Sequence, residues 1–393
     1  MSRSFFPVLL VSCLLICAGC WDHTPVEETA FVVMLGVDSD PEDPKRTILT
    51  QMIVLPQAQP QGSSGAQGGA VPYYLVSQSG LTLSEAQMRA LRHVPRYIEL
   101  AHAQSLVFGE EFAREGIEEA VDWLIRQPQV RFGISIMVSR GTAQELMQAE
   151  PKLEALPPIA LEGIMREPDP VAFTFNISFH EFAKKIFSER EDAAILVIER
   201  VDPMMAKARS GATAQAEHVG NELHAVGLAV FSGTRMVGIL EGAAARGAVW
   251  VQGSTLNSIN VPHPTEEDRY IAISFVKPRS NIDVSMEGDQ LIIQVRVSAV
   301  GNLFEAVSAE ALPIGPLIDE VEKSIEYFIK EEIEAAFDQI LHLGADIFGI
   351  GERLYRRSPN DWRRVAPHWH EVYRQAHVDI QVDVTVTHTG LAR

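Results

Sequence analysis

One uninterrupted apolar run opens the chain. Phe5 to Ile16 is apolar almost throughout, follows a single positive charge at Arg3, and closes in Cys17-Ala18-Gly19-Cys20 before turning polar at Trp21-Asp22-His23. A run that short, ended by small residues, predicts a secretory signal over residues 1–19, because a membrane span needs about 20 apolar residues. Short strand and helix patterns follow. Ala30 to Val37 and Arg46 to Leu55 are rich in Val, Ile and Leu, with Asp38-Ser39-Asp40-Pro41 and Asp43-Pro44 between them, which predicts two strands and a turn. Gln57 to Ala70 is a Gln/Gly/Ser/Ala tract too polar to pack, and reads as a disordered loop. After Tyr73-Tyr74-Leu75-Val76, Ser84-Glu85-Ala86-Gln87 has capping-box spacing and opens a helix to about His93. Ala103 to Phe108 reads as a strand, Phe112 to Arg126 as an amphipathic helix, and Phe132 to Val138 as a strand. Thr142 caps a short helix stopped by Pro151, Ser178 caps Phe179 to Phe187, and Ala194 to Ile198 resumes strand character. The order β-β-β-α-β-α-β-α-α-β predicts an α/β or α+β domain over residues 20–205.

Residues 206–222 are poor in large hydrophobic side chains and read as a linker, with an exposed hairpin as the competing reading. Ala225 to Phe231, Met236 to Leu240, Ile271 to Val276 and Leu291 to Val300 are strand-like. Leu317, Val321, Ile325, Ile329, Ile333, Phe337 and Ile340 then recur at three- and four-residue spacing, one apolar stripe about seven turns long. The remaining faces of that helix are acidic, with Glu322, Glu326, Glu332 and Asp338 among them. Val378, Ile380, Val382, Val384 and Val386 alternate with polar residues, the mark of a half-buried strand. The pattern predicts a multidomain α+β protein: mixed or antiparallel sheets, packed helices, and one long amphipathic helix near the C-terminus. Its C-terminal region is 223–393, with a further division near 265 setting apart a small middle domain.

Charge narrows the partners. Cleavage before Cys20 removes Arg3 and no acid, so 33 Lys and Arg become 32 against 52 Asp and Glu, and the net charge goes from −19 to −20. Such a surface repels phosphate backbones, which excludes nucleic acid as a partner. It also has no basic patch strong enough to hold an anionic membrane. No later stretch reaches 18 uninterrupted apolar residues, so no transmembrane helix is predicted. Of the three cysteines, Cys13 and Cys17 leave with the signal, and the mature chain has no thiol for a disulfide or a nucleophile.

Candidate chemistry is sparse. The chain has no G-x-S-x-G elbow, Walker A loop, G-x-G-x-x-G or H-E-x-x-H. Ser274-Phe275-Val276-Lys277 matches S-x-x-K, but it lies in a strand pattern halted by Pro278, where that chemistry needs a helix start. His368-Trp369-His370-Glu371 follows Pro367, which suggests a helix on which alternate residues do not share a face; surface histidines are the favoured reading over a metal site. The acidic run Asp38 to Asp43 lacks the glycine and terminal glutamate of a calcium loop and reads as a solvated turn. No catalytic residue, metal or cofactor is predicted. Positive charge concentrates in Arg353, Arg356, Arg357, Arg363, Arg364 and Arg374 just after the acidic helix. Either that stretch packs beside the helix or it forms a docking surface, with Arg356 and Arg357 as candidate contacts.

Two resemblances supply the rest. Ala18-Gly19 before Cys20 resembles the lipobox of bacterial lipoproteins, although its third residue before the cut is Cys17 where leucine is usual. The match implies a diacylglyceryl thioether on Cys20, and two acyl chains suffice for stable attachment at about 0.8 kcal/mol per buried methylene. Cys20-Trp21-Asp22 with Glu28 to Asp38, Ala101 to Glu110, Ala113-Arg114-Glu115-Gly116-Ile117 and Arg126 to Arg131 then resemble, in order, the Ger(x)C family of spore germination proteins. So do Gly227 to Leu240, Gly301-Asn302-Leu303-Phe304-Glu305, and Asp346 to Gly351 with Trp362, Trp369 and Gly390; the glycine-rich tract at 57–70 departs from the pattern.

The resemblance implies a non-catalytic lipoprotein on the outer face of the spore inner membrane. It would be the C subunit of a germinant receptor, assembled with integral membrane A and B subunits. Gly301 to Glu305 reads as a turn or as a partner-contact loop, with Asn302 and Glu305 the candidate contacts. A lipid-anchored solute-binding protein of a transporter is the alternative.

Overall fold

The computed structural model describes residues 25–54, 73–151, 154–166, 177–201, 222–253, 258–262, 270–306 and 316–388. Cys20 and the tract at 57–70 lie outside them. The first sheet is built on β1 (Thr29–Ser39), almost wholly buried because it is central. Beside it run β2 (Thr47–Val54) and then β3 (Tyr73–Gly80), both antiparallel to their neighbours. On its other side lie β4 (Tyr97–Glu99) and β5 (Ser105–Gly109), then β6 (Ser135–Ser139) and β7 (Ala194–Val201), all parallel. Two further antiparallel strands, β8 (Glu222–Ser232) and β9 (Arg235–Glu241), complete nine.

Helices cover both faces. On one, α1 (Leu83–Ala90), α2 (Glu110–Glu115), α3 (Glu118–Ile125) and α6 (Phe179–Ile186) send Ala86, Phe112, Leu124 and Phe182 into the larger core. On the other, α4 (Ala143–Met147) and α5 (Pro157–Arg166) contribute Leu146, Met147, Leu161 and Met165 to a separate one.

Local chemistry refines several boundaries. The helix expected over Phe112–Arg126 breaks into α2 and α3 at Gly116, whose φ of 134° is open to glycine and costly for other residues. The cap of α1 is Thr82 and not Ser84: Thr82 Oγ1 accepts from Glu85 N, and Glu85 Oε2 accepts from Leu81 N. Thr142 and Ser178 do cap α4 and α6 in full capping boxes. The first sheet takes strands from both sides of the linker expected at 206–222. The linker segment 206–222 falls almost entirely outside the described residues, and the strands flanking it, β7 and β8, pair with each other. Leu228, Ala229, Val230 and Phe231 are buried in the first sheet's core, so that sheet ends at Glu241.

The second sheet has the order β10 (Ser258–Pro262), β11 (Tyr270–Glu287), β12 (Gln290–Ala306), β13 (His377–His388). Position 265 separates β10 from β11, which pair with each other, so the hydrogen bonding gives no division there. Pro278 does not halt its strand; it sits where the β11–β12 register shifts between Val276 and Arg279, a bulge in which a missing N–H costs nothing. Gly301 to Glu305 is not a turn but part of β12, paired with β11 and in part with β13. A Cβ on Gly301 would lie 2.5 Å from Ile273 Cδ1, so a larger residue there would require the Ile273 side chain to shift. β13 runs parallel to β12, because the chain crosses back through a long helix first.

That helix is α8 (Pro316–Leu343), with Val321, Ile325, Ile329, Ile333, Phe337 and Ile340 buried along the predicted stripe. It packs on β13 and on α7 (Gly242–Gln252), the helix that follows β9. Glu332 belongs to the buried face, at 2% exposure, and not to the solvated one. Its carboxylate accepts from Arg246 Nε at 2.5 Å and Trp250 Nε1 at 3.0 Å, both on α7. The helices touch backbone to backbone, since a Cβ on Gly247 would clash with the carbonyl of Glu332. Gly247→Ala is therefore expected to cost about 2 kcal/mol or more through overpacking, read as a lower urea midpoint with the slope unchanged.

Candidate functional site

Where the first sheet meets the C-terminal helices, three separate pieces of chain converge on two buried carboxyl groups. Asp192 lies in the loop entering β7. Its Oδ1 accepts from Gly233 N at 2.9 Å, in the β8–β9 turn, and its Oδ2 accepts from Asp346 N at 2.8 Å. Its own N–H donates to the carbonyl of Asp346 at 2.8 Å. Asp346 turns its carboxyl forward onto the start of α9 (Ile350–Arg357): Oδ1 accepts from Ile350 N at 2.8 Å and Oδ2 from Gly351 N at 2.7 Å. Two donors that a helix start leaves unsatisfied are thereby filled.

Each residue of Asp346-Ile347-Phe348-Gly349-Ile350-Gly351 has a physical reason. Ile347 and Ile350 are buried, and Phe348 tilts against Phe337 of α8 with ring centroids 5.3 Å apart. Gly349 has φ 66°, the left-handed region that favours glycine. Gly351 leaves room for Arg190, whose carbonyl would lie 2.7 Å from an added Cβ. Around this core, Arg190 Nη1 donates to Glu352 Oε2 at 2.8 Å and its guanidinium stacks 4.0 Å over the Tyr355 ring. Arg374 Nη2 donates to the carbonyl of Leu343, and His370 Nδ1 lies 2.9 Å from the carbonyl of Gly344, so both cover the end of α8.

Burial raises the pKa of Asp346 to about 7, reinforced by the charge of Asp192 and opposed by the Gly351 and Ile350 N–H groups. Burial raises Asp192 as well, against its bonds from Gly233 and Asp346. Tyr373, fully buried with no hydrogen-bond partner for its hydroxyl, is pushed well above 10 by burial and by both aspartates. These groups form a joint, with the carboxyls spent on backbone donors.

The sequence-predicted candidates are dispersed. Arg356 and Arg357 lie on α9, exposed, pairing with Glu352 at 2.9 Å and with Asp283 of β11 at 3.6 Å. Asn302 is on β12, its Oδ1 accepting from Thr387 Oγ1 at 3.2 Å; Glu305 pairs in register with Ala272. Asp283 is opposite Gln294, which places Asn302 eight residues along the strand, about 26 Å from the arginine pair. Within the arginine cluster, Arg356, Arg357 and Arg364 turn to nearby carboxylates and the β11–β12 turn: Arg364 binds Asp289 and the carbonyl of Gly288. Only Arg374 reaches the long helix, at a carbonyl.

Asp38 is not part of a solvated turn: it is buried, accepts from Ala143 N and Gln144 N, and burial raises it to about 6. Among the described residues, no group of three or more His, Cys, Asp or Glu is placed to hold a metal ion. Sequence reasoning missed Asp192, which carries no motif, and took Glu332 as surface. The spacing of Glu332 from Ile329 and Ala336, on the apolar stripe itself, was the available signal.

Comparison with known proteins decides the family. The N-terminal domain of spore germination proteins matches residues 22–200, and the GerAC-like C-terminal domain, described as spore germination B3/GerAC like, matches residues 226–390. The chain belongs to the Ger(x)C family. Its similarity runs nearly end to end: 23% identity over 415 residues to spore germination protein YndF of Bacillus subtilis (strain 168), covering 98% of this chain and 97% of that one. To spore germination protein KC of the same organism it is 22% identical over 405 residues, 99% of this chain and 96% of that one. The crystal structure of the GerBC protein superimposes with a TM-score of 0.56 over 90% of this chain and 96% of that one, at 14% identity, which extends the shared fold to both sheets. The gap between the two Ger(x)C domain matches, 201–225, falls between β7 and β8, and those two strands pair with each other.

Two outcomes test the joint. Asp192→Ala strips the acceptor from Gly233 N and Asp346 N and is expected to destabilise by about 3 kcal/mol, read by urea unfolding. The pH dependence has a defined sign. The folded Asp346, at about 7, lies above an unfolded carboxyl near ~3.9, so the unfolded chain releases this proton first. The group's stability is intact below pH ~4 and is lost as pH rises to about 7. Unfolding free energy across that window should fall less steeply in Asp346→Asn than in the parent.

Proposed function

We propose that this Ger(x)C protein is the non-catalytic C subunit of a spore germinant receptor. It is held at the outer face of the spore inner membrane by a diacylglyceryl group on Cys20 and assembled with integral membrane A and B subunits. The observation that carries this reading is the match of both family domains, in order, across nearly the whole chain. Relatives of equal length named as spore germination proteins support it. The Ala18-Gly19-Cys20 sequence supports the anchor, and no helix among the described residues is long and apolar enough to cross a membrane.

The physical logic of the anchor is concentration. Confinement to the membrane plane raises the effective concentration of this subunit near integral partners, so a modest interface is enough to hold the assembly. The soluble body then contributes shape and contacts; its buried carboxyls serve the fold.

Pull-down of the tagged protein from detergent-solubilised spore membranes is expected to recover two polytopic subunits. Recovery of a transporter permease in their place would identify a solute-binding lipoprotein and overturn the proposal. Cys20→Ala should release the protein from the membrane fraction and abolish nutrient-triggered germination. Full retention and germination in that variant would remove the anchor from the account.

A further inference from the structure

Strands β1, β4, β5 and β6 are parallel, so all of them begin at one end of the first sheet. The segments that feed them therefore gather there, and β2 ends and β3 begins at the same level, Val54 opposite Tyr73 and Phe31. Six large apolar side chains are left in solvent at this end: Val26, Tyr74, Leu91, Tyr97, Ile125 and Phe132, between 42% and 57% exposed. Tyr97 among them is held in place by fixed contacts. Tyr97 sits beside Thr29 in the β1–β4 register, Gln129 Nε2 donates to Tyr97 Oη at 2.6 Å, and Gln129 Oε1 accepts from Leu100 N at 3.2 Å. Four of the six have an exposed arginine as chain neighbour: Leu91-Arg92, Arg96-Tyr97, Ile125-Arg126 and Arg131-Phe132.

Charge separates the two ends of the sheet. At the strand-start end Arg92, Arg96, Arg126 and Arg131 face Glu27, Glu28, Glu99, Asp122, Glu150 and Glu162, four bases against six acids, with Arg126 paired to Asp122 at 2.8 Å. At the other end, about 33 Å away along β1, Asp40, Glu42, Asp43, Glu110, Glu111, Glu115, Glu145, Glu199 and Glu241 outnumber Lys45, Arg46, Arg114, Arg140 and Arg200. On a chain of net charge −19, the strand-start end is the one an anionic surface repels least. It is also the end where the described chain begins. Pro25 is five residues from Cys20, a span of at most about 17 Å when fully extended.

We propose that this end of the sheet lies against the lipid headgroups. Leu91, Tyr97, Ile125 and Phe132 enter the interfacial layer, and the neighbouring arginines meet lipid phosphates. Aromatic and aliphatic side chains beside arginine suit that boundary, where the ring or chain leaves water and the guanidinium stays at the phosphate level. The contact rests on the lipid anchor proposed above and goes beyond it: the tether sets the distance, and this patch sets which way the body points.

The test uses the full lipidated protein in phosphatidylglycerol/phosphatidylethanolamine vesicles containing a nitroxide-labelled lipid. With Cys13 and Cys17 removed and Cys20 acylated, an introduced cysteine is the one free thiol to carry a nitrobenzoxadiazole probe. Probes at Leu91→Cys and Ile125→Cys should shift to the blue and be quenched by the nitroxide. A probe at Leu81→Cys, exposed at the opposite end, should show neither change. Adding Arg96→Glu and Arg131→Glu should reduce the quenching at Leu91→Cys while flotation with the vesicles is unchanged. Protein that floats with probes at 91, 125 and 81 behaving alike would overturn the orientation and leave the anchor standing. Protein that fails to float would overturn both. Probes unquenched in vesicles but shielded from aqueous iodide in receptor isolated with its membrane partners would assign this end to a protein contact and overturn the lipid one.

Discussion

The carboxylate of Asp192 fixes the relation between the two sheets. It takes one backbone N–H from the β8–β9 turn and another from Asp346, and the Asp192 N–H returns a bond to the Asp346 carbonyl. Four residues on, Asp346 binds the first amides of α9 in the same way. A single chain of hydrogen bonds thus runs from the edge of the first sheet into the C-terminal helices. Because both carboxyls are buried, neither can exchange its donors for water without a large desolvation cost. The position of α9, and with it the contact of Arg357 with the β11–β12 ribbon, follows from that chain.

The long helix provides a second brace of different chemistry. Its acidic residues have separate tasks. Glu332 is buried against Arg246 and Trp250 of α7. Glu322 and Glu326 accept from the backbone N–H groups of Val386 and Val384, covering the outer edge of β13 where an unpaired strand would otherwise invite another chain. A helix that looks like an apolar stripe with a solvated acidic back is instead a connector on three sides. Breaking Glu332 from its partners would leave an uncompensated buried charge, which makes that brace all-or-none.

Membership of the Ger(x)C family and this architecture fit together. The fold is a sheet and a ribbon locked at a buried joint, and the described residues hold no cluster built for metal chemistry. In the proposed receptor, such a body acts through its surfaces and its orientation. Opposite ends of the first sheet differ in kind: one is acidic and polar, the other carries apolar side chains beside arginines at the end where the chain enters.

Periodicity determined the elements, since burying one face of a strand or helix imposes spacing of two or near 3.6 whatever the surroundings. Thr142 and Ser178 were legible as caps for the same local reason, and the stripe of α8 could be followed residue by residue. The apolar run before Cys20, the excess of acid and the ordered Ger(x)C motifs are likewise properties of the chain alone. What tertiary structure decided was partnership. Gly116 could break a helix only because the chain there takes a positive φ; Gly301 to Glu305 became a strand because β11 and β13 were waiting on either side. Asp192 went unmarked and Glu332 looked like an ordinary surface acid because their partners, Gly233 and Asp346 for one, Arg246 and Trp250 for the other, lie far away in sequence. A carboxylate's role depends on which donors reach it, and only folding brings those donors within 3 Å.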